Sequence, residues 1–204
     1  MEAVDSSLLH ALNDFLFRHD AVEDPLLFYV SISEALFAAT LVIVFLAARG
    51  PALAAWRRAA VAAVLSAGLG LAVAKVISEL VDRARPFVAE PNGVHLFSGH
   101  AADPGFPSDH ATAAFAIAVA ILLRKRSWGL AMLVAAAVLS VGRVALGVHY
   151  PSDVLCGAIL GSAAALALWT PPPRQRVDAL ADWAGGYWDR AVSRSARGLA
   201  ELRR

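Results

Sequence analysis

The sequence contains a single cysteine, Cys156, which excludes a disulfide within the chain. Charged residues are scarce, at 17% of the 204 residues, whereas soluble domains have about 25%. Hydrophobic residues make up 58%, against about 45–50% in soluble domains. This composition is that of an integral membrane protein with no nucleic-acid partner.

The N-terminus lacks the basic segment of a secretory signal peptide and instead carries Glu2 and Asp5. We therefore expect it to be retained. Residues 6–18 repeat apolar positions at helical spacing, which predicts an amphipathic helix lying on the membrane surface.

Five apolar stretches are close to the length of about 20 residues that crosses a bilayer. They are residues 26–47, 59–81, 108–123, 128–147 and 153–170. The third is short, so we expect it to begin below the membrane surface in a cavity lined by protein. The fold class predicted is all-α, a polytopic membrane helix bundle of about five transmembrane helices plus the N-terminal amphipathic helix and a C-terminal tail helix.

Three prolines, Pro171–Pro173, predict the end of the last span and divide the chain into a membrane domain, 1–170, and a tail, 171–204. The tail combines an apolar stripe at helical spacing with seven arginines. It is either an interfacial helix on an anionic leaflet or a solvated, partly disordered segment.

Thirteen of the 18 lysines and arginines lie in the loops after the first and third predicted spans and in the tail. The positive-inside rule makes that side cytoplasmic. Loop 82–107 and the turn 148–152 are then extracytoplasmic. Four other basic residues lie near that opposite side: Lys75, Arg83, Arg85 and Arg143. Basic residues near the extracytoplasmic side of a membrane protein indicate a binding site for an anionic ligand.

The pattern Arg143-x5-His149-x3-Asp153 has the components of a nucleophilic site. One imidazole nitrogen of His149 can attack while the other is held. Asp153, four residues on, shares a helix face with it and can fix the tautomer. Alternatively, the pair only caps and orients the fifth span.

The pattern Pro107-Ser108-Asp109-His110 opens the third span. Ser108 is placed to cap the helix, whose free backbone N–H groups can bind an anion. His110 would then lie near a bound phosphate as a general acid. An ordinary helix start without catalysis is the alternative.

Together, Lys75…Arg85-Pro86, the Ser108–His110 pattern and Arg143…His149…Asp153 resemble the three motifs of the type 2 phosphatidic acid phosphatase superfamily. The resemblance implies a metal-independent phosphatase without a cofactor, working through a phosphohistidine. It implies His149 as nucleophile, Asp153 as its partner and His110 as acid. Phosphate ligands would be Lys75, Arg85, Ser108, Arg143 and the backbone at Asp109 and His110.

The sequence departs from the superfamily's usual motifs at three positions. Ser78 occupies the usual place of the first-motif lysine, so Arg83 could replace Lys75 as a phosphate ligand. Asp109 stands where the second motif usually has Gly, and Gly142 where the third usually has Ser.

Residues 83–88 and 106–111 are similar to the bacitracin-resistance type of undecaprenyl pyrophosphate phosphatase. This resemblance implies a substrate with a long polyprenyl tail and a diphosphate head. The charge distribution implies that this substrate is bound from the extracytoplasmic side. His95, His100 and Asp103 then either touch the second phosphate or are ordinary loop residues. Glu34, an ionisable group inside the first span, is a candidate accessory residue.

Other functions remain open at this stage. The substrate could be phosphatidic acid, phosphatidylglycerol phosphate or another lipid phosphate. A transporter or lipid-binding protein would need the arginines but not His149 with Asp153. A metalloenzyme is a third possibility, but the positive charges of Arg85 and Arg143 would repel a metal cation in the same cavity. The oligomeric state is left undetermined.

Overall fold

The structure, a computed structural model, describes residues 2–201, and the side chains of residues 3–195. These residues form eight α-helices: α1 (Glu2–Phe17), α2 (Asp20–Ala47), α3 (Ala54–Val81), α4 (Pro86–Ala89), α5 (Asp109–Leu122), α6 (Arg126–Ala145), α7 (Pro151–Trp169) and α8 (Pro171–Glu201). The predicted all-α fold class is confirmed.

Four helices, α2, α3, α6 and α7, are long and apolar enough to cross a membrane. The third predicted span, residues 108–123, corresponds to α5, which is apolar but has only 14 residues. It begins directly after Ser108, whose side chain caps its N-terminus. The first span begins at Asp20 rather than at residue 26, since α2 continues through Pro25.

The centre of the bundle is α5, which packs against α3, α6 and α7. Glycines let α7 approach α5 closely: a Cβ on Gly161 would lie 2.1 Å from the Thr112 carbonyl oxygen. The first turns of the two helices are joined, because the Ser108 backbone N–H donates to the Asp153 carbonyl oxygen at 3.1 Å. The two predicted histidine motifs are thereby brought side by side.

The N-terminal helix α1 is amphipathic, as predicted, but it packs into the bundle. Leu9, Asn13 and Leu16 are fully buried. The Asn13 side-chain amide donates to the carbonyl oxygens of Ala145 and His95, each at 2.8 Å. These bonds fix α1 to the end of α6 and to the loop that precedes α5.

The C-terminal tail is a helix, α8, that begins directly after α7 because the prolines occupy its first turn. Three arginine–aspartate pairs hold it against the bundle: Arg57 with Asp189 at 2.7 Å, Arg58 with Asp182 at 2.6 Å and Arg124 with Asp178 at 2.8 Å. Leu180, Trp183 and Tyr187 remain exposed. Three of the tail arginines have side chains outside the described residues: Arg197, Arg203 and Arg204.

Candidate active site

His149 lies in the turn between α6 and α7 and is 2% exposed. Its Nδ1 is 2.9 Å from the Gly105 carbonyl oxygen, and its Nε2 is 3.0 Å from Nη1 of Arg85. A carbonyl only accepts and a guanidinium only donates. The neutral ring therefore carries its proton on Nδ1 and keeps the Nε2 lone pair, which is the form a nucleophile needs.

The surroundings of His149 also favour this neutral form. Burial, followed by the positive charges of Arg143 and Arg85, lowers the pKa of His149 well below its ordinary value of 6.5. The imidazole is consequently unprotonated at neutral pH.

Asp153 lies in the first turn of α7 and is fully buried. Its Oδ2 accepts a hydrogen bond from the Tyr150 backbone N–H at 2.8 Å and lies 3.6 Å from Nδ1 of His149. The nearer acceptor for the Nδ1 proton is the Gly105 carbonyl. Asp153 therefore supports the ring electrostatically, while a backbone carbonyl supplies the direct hydrogen bond.

The two predicted arginine ligands are almost completely buried beside His149. Nη1 of Arg85 also donates to the Val148 carbonyl oxygen at 3.1 Å. Nη2 of Arg143 donates to Nε2 of His100 at 2.9 Å, and its buried Nε has no hydrogen-bond partner among the described residues. Buried guanidinium N–H groups of this kind are suited to phosphate oxygens.

The loop before α5 supplies partners to both arginines. Asp103 accepts from Nε of Arg85 at 3.1 Å. Burial alone would raise the pKa of Asp103, but the hydrogen bond and charge of Arg85 outweigh it and lower the pKa. His100 and Asp103, predicted as accessory residues, thus lie at the candidate phosphate site.

The first turn of α5 carries the second histidine motif. Ser108 caps the helix, since its Oγ accepts from the Ala111 N–H at 3.4 Å. The backbone N–H groups of Asp109 and His110 belong to the helix start, where no acceptor exists within the helix. His110 lies within electrostatic range of His149, Arg143 and Arg85, so the motifs converge on one site.

Glu34 reaches this site from α2. Its Oε1 is 2.9 Å from Nε2 of His110. The sequence left its partner open between Lys75, Arg143 and a cavity-facing carboxylate. The structure pairs it with the candidate acid instead.

Three other predicted residues have different surroundings. Lys75 pairs with Glu79 at 3.3 Å and is largely exposed. The ring of His95 stacks on Phe17, with the ring centroids 3.7 Å apart. The guanidinium of Arg83 contacts the carboxylates of Asp5 and Asp153. Phosphate or head-group binding by these residues stays a prediction.

An apolar cavity of about 1040 Å³ opens beside His110, between α2, α3 and α5. It extends from Glu34 and His110 to Leu180 and Ala184 on α8. Most of its remaining wall is aliphatic or aromatic, including Phe37, Leu41, Phe45, Leu71 and Ile117. The site therefore joins a polar, positively charged end to a long apolar one.

Sequence reasoning missed two contributors to this site. The Gly105 carbonyl could not be predicted from the sequence, because every residue type has a backbone carbonyl that can accept a hydrogen bond. Asp5 was noted only as an acidic N-terminal residue, yet it contacts Arg83 beside the site. Within the described residues, no group of three or more histidines, cysteines and acidic residues is arranged to hold a metal ion.

Residues 59–176 match the PAP2 superfamily. The chain is 42% identical over 96 residues to undecaprenyl-diphosphatase BcrC of Bacillus subtilis. That match covers 45% of this chain and 49% of BcrC, so the chain spans about half the length of this relative.

Two solved structures share the fold. The crystal structure of Aquifex aeolicus LpxE superposes with a TM-score of 0.68 at 20% identity, covering 81% of this chain and 94% of LpxE. The transmembrane PAP2 type phosphatidylglycerolphosphate phosphatase from Bacillus subtilis gives 0.63 at 20% identity, covering 82% of this chain and 84% of that one.

Proposed function

Because this chain belongs to the PAP2 superfamily, we propose that it is a lipid-phosphate phosphatase whose preferred substrate is undecaprenyl pyrophosphate. The chain is a multi-pass membrane protein. The observation that carries the proposal is the unprotonated Nε2 of His149, which lies 3.0 Å from Nη1 of Arg85 and accepts its hydrogen bond. The similarity to BcrC supports the choice of substrate.

The proposed reaction has two steps. The Nε2 lone pair of His149 attacks phosphorus, and the bond between phosphorus and the leaving oxygen breaks. Protonated His110 gives its proton to that oxygen. Water then attacks the phosphorus of the phosphohistidine while His110 takes up a proton from it. The bond between phosphorus and Nε2 breaks, its electron pair returns to His149, and inorganic phosphate leaves. Arg85, Arg143 and the start of α5 stabilise the negative oxygens in both transition states.

The apolar cavity supports a lipid substrate. A phosphate held by Arg85 and Arg143 would place the attached chain toward His110 and the cavity behind it. The wall of this cavity is as apolar as the interior of a bilayer, so a long hydrocarbon chain can enter it from the membrane with little change in solvation free energy. A small soluble phosphate ester would leave this surface unused.

We also propose that the site faces the extracytoplasmic side. The Arg57, Arg58 and Arg124 side chains contact α8, at the end of the bundle opposite His149. The positive-inside rule supports a cytoplasmic location for that end. In sealed spheroplasts, a membrane-impermeant thiol reagent should label a cysteine introduced at exposed Ala101 and should not label one introduced at Ser127.

The central test is hydrolysis by the purified protein in detergent. We expect phosphate release from undecaprenyl pyrophosphate, with smaller kcat/KM for phosphatidic acid and phosphatidylglycerol phosphate. His149→Ala should reduce kcat by roughly 10⁴-fold or more, because the nucleophile is lost. His110→Ala should reduce it by about 10²–10⁴-fold. Activity should persist in excess chelator.

His19→Ala serves as the matched control, since His19 is exposed at the start of α2, away from the site. Undiminished phosphate release by His149→Ala would contradict the mechanism. Undecaprenyl pyrophosphate as the poorest of the three substrates would contradict the choice of lipid while leaving the reaction class intact.

A further inference from the structure

Asp5 brings the N-terminal helix into contact with the candidate active site. It is 7% exposed although it lies only one turn from the start of α1. The position of α1 is fixed by fully buried Leu9 and Asn13, so the Asp5 carboxylate is held at the start of α7. A charged side chain buried in this way requires partners.

The partners of Asp5 come from α7 and from the loop after α3. Its Oδ1 accepts from the Ser152 backbone N–H at 2.8 Å, and its Oδ2 from Nη2 of Arg83 at 2.9 Å. The Ser152 hydroxyl also donates to Oδ2. The Asp5 carboxylate therefore accepts from a backbone N–H in the first turn of α7, where no acceptor exists within the helix. It also pairs with one side of the Arg83 guanidinium.

The other side of that guanidinium contacts Asp153. Nη1 of Arg83 donates to Oδ1 of Asp153 at 2.7 Å and to the Ser152 hydroxyl at 2.6 Å. The guanidinium also lies over the Tyr150 ring, with Cζ 4.2 Å from the ring centroid. Arg83 is thus clamped between two carboxylates and an aromatic face.

This chain of contacts ends at His149. Asp153 has one oxygen on Arg83 and the other on the Tyr150 N–H, 3.6 Å from the His149 ring. Burial would raise the pKa of Asp5, but hydrogen bonds from Ser152 and Arg83 outweigh it and lower the pKa, so Asp5 is ionised at neutral pH. A fixed negative charge on the outer side of Arg83 limits the ways in which Arg83 can hold Asp153.

We propose that Asp5 is a positioning residue for the phosphatase reaction, acting through Arg83 and Asp153 to hold the His149 imidazole in its attacking orientation. This assignment rests on the proposed function. It also gives Arg83 a role in orienting the nucleophile rather than in binding phosphate. Outer partners of metal-bound histidines change activity by about 10–100-fold, and we expect an effect of the same order here.

The test compares Asp5→Asn with Asp14→Asn, a matched change on the same helix at a partly buried residue that has no ion pair in the described chain. Asp5→Asn should lower kcat for undecaprenyl pyrophosphate about 10–100-fold while KM changes less than about threefold, because the phosphate ligands remain. Asp14→Asn should match the wild type. The rate of phosphoenzyme formation should fall in parallel with kcat.

Coupling to Arg83 separates positioning from a general loss of folding. Arg83→Lys keeps the charge but cannot bridge two carboxylates, so it should show the same loss of kcat. The double variant should be no slower than Arg83→Lys alone. If Asp5→Asn does not fold, the test is the kcat of Arg83→Lys, provided that this variant has the native melting temperature.

The outcomes distinguish this inference from the proposed function. An inactive wild-type protein would overturn the function itself, and a fully active His149→Ala variant would overturn its mechanism. An active wild type with wild-type kcat in folded Asp5→Asn or Arg83→Lys would overturn only the role of Asp5. A rise in KM at unchanged kcat would do the same, since it would indicate substrate binding.

Discussion

Arg85 contacts both the candidate nucleophile and an acidic side chain of the loop above it. Its Nη1 lies 3.0 Å from His149, and its Nε donates to Asp103 at 3.1 Å. A substrate phosphate carries more charge than a carboxylate and can replace Asp103 on this guanidinium. Binding of phosphate to Arg85, as proposed, would therefore displace Asp103 from this guanidinium.

The pH dependence of the reaction should reflect the environment of His149. A histidine with an ordinary pKa of 6.5 would lose most of its neutral form between pH 7.5 and about pH 6. The pKa of His149 is well below that value, so kcat/KM should show no loss from nucleophile protonation in this range. Measurement of kcat/KM with undecaprenyl pyrophosphate at several pH values checks this.

The same pKa shift affects stability with a definite sign. Between the lowered folded value and 6.5, the unfolded state binds more protons than the folded state. The contribution of His149 to the free energy of unfolding is therefore present above pH 6.5 and falls as the pH decreases below it.

The activity measurement can contradict this description of His149. If kcat/KM fell as the pH decreased, with a midpoint near pH 6.5, His149 would not be buried and neutral as described.

At the scale of elements, the contact between α5 and α7 determines whether the two histidine motifs meet. Gly161 and Gly157 remove the side chains that would hold the helices apart. The same contact fixes Ser108 to the backbone of Asp153. The placement of the two histidine motifs side by side thus depends on this close approach of α5 and α7.

Gly161→Ala should separate the two helices. Its Cβ would lie 2.1 Å from a carbonyl oxygen that is part of the α5 backbone, so a helix must move. Overpacking of this kind costs about 1–3 kcal/mol. We expect a lower melting temperature and a lower kcat than in the wild type.

Gly68→Ala on α3 is the control for stability, because its Cβ would meet nothing within 4 Å. It should not lower the melting temperature, since alanine favours a helix over glycine. Equal melting temperatures for Gly161→Ala and Gly68→Ala would mean that the close approach is not required.

At the scale of the whole molecule, the sequence predicted those features that have a local pattern. Apolar length predicted the helices, Pro171–Pro173 predicted the end of α7, and motif spacing predicted the two histidines. The docking of α8 was not predictable, because the positions of Asp178, Asp182 and Asp189 opposite particular arginines depend on the tertiary arrangement. Asp5 was missed for the same reason: 78 positions separate it from Arg83.

Arg85 and Arg143 also make folding stability sensitive to the anion in solution. Two nearly buried guanidinium groups beside each other repel, and an oxyanion bound between them removes that repulsion. A ligand at 100 times its dissociation constant stabilises the folded state by about 2.7 kcal/mol. The melting temperature in detergent should therefore rise with inorganic phosphate and not with chloride at equal ionic strength.

Arg143→Gln should abolish most of that thermal shift, because one of the two charges is gone. An equal shift in phosphate and chloride would indicate screening rather than binding. If the expected shift is observed, the charges of Arg85 and Arg143 couple folding to phosphate, and the product of the reaction is a stabilising ligand of the enzyme that releases it.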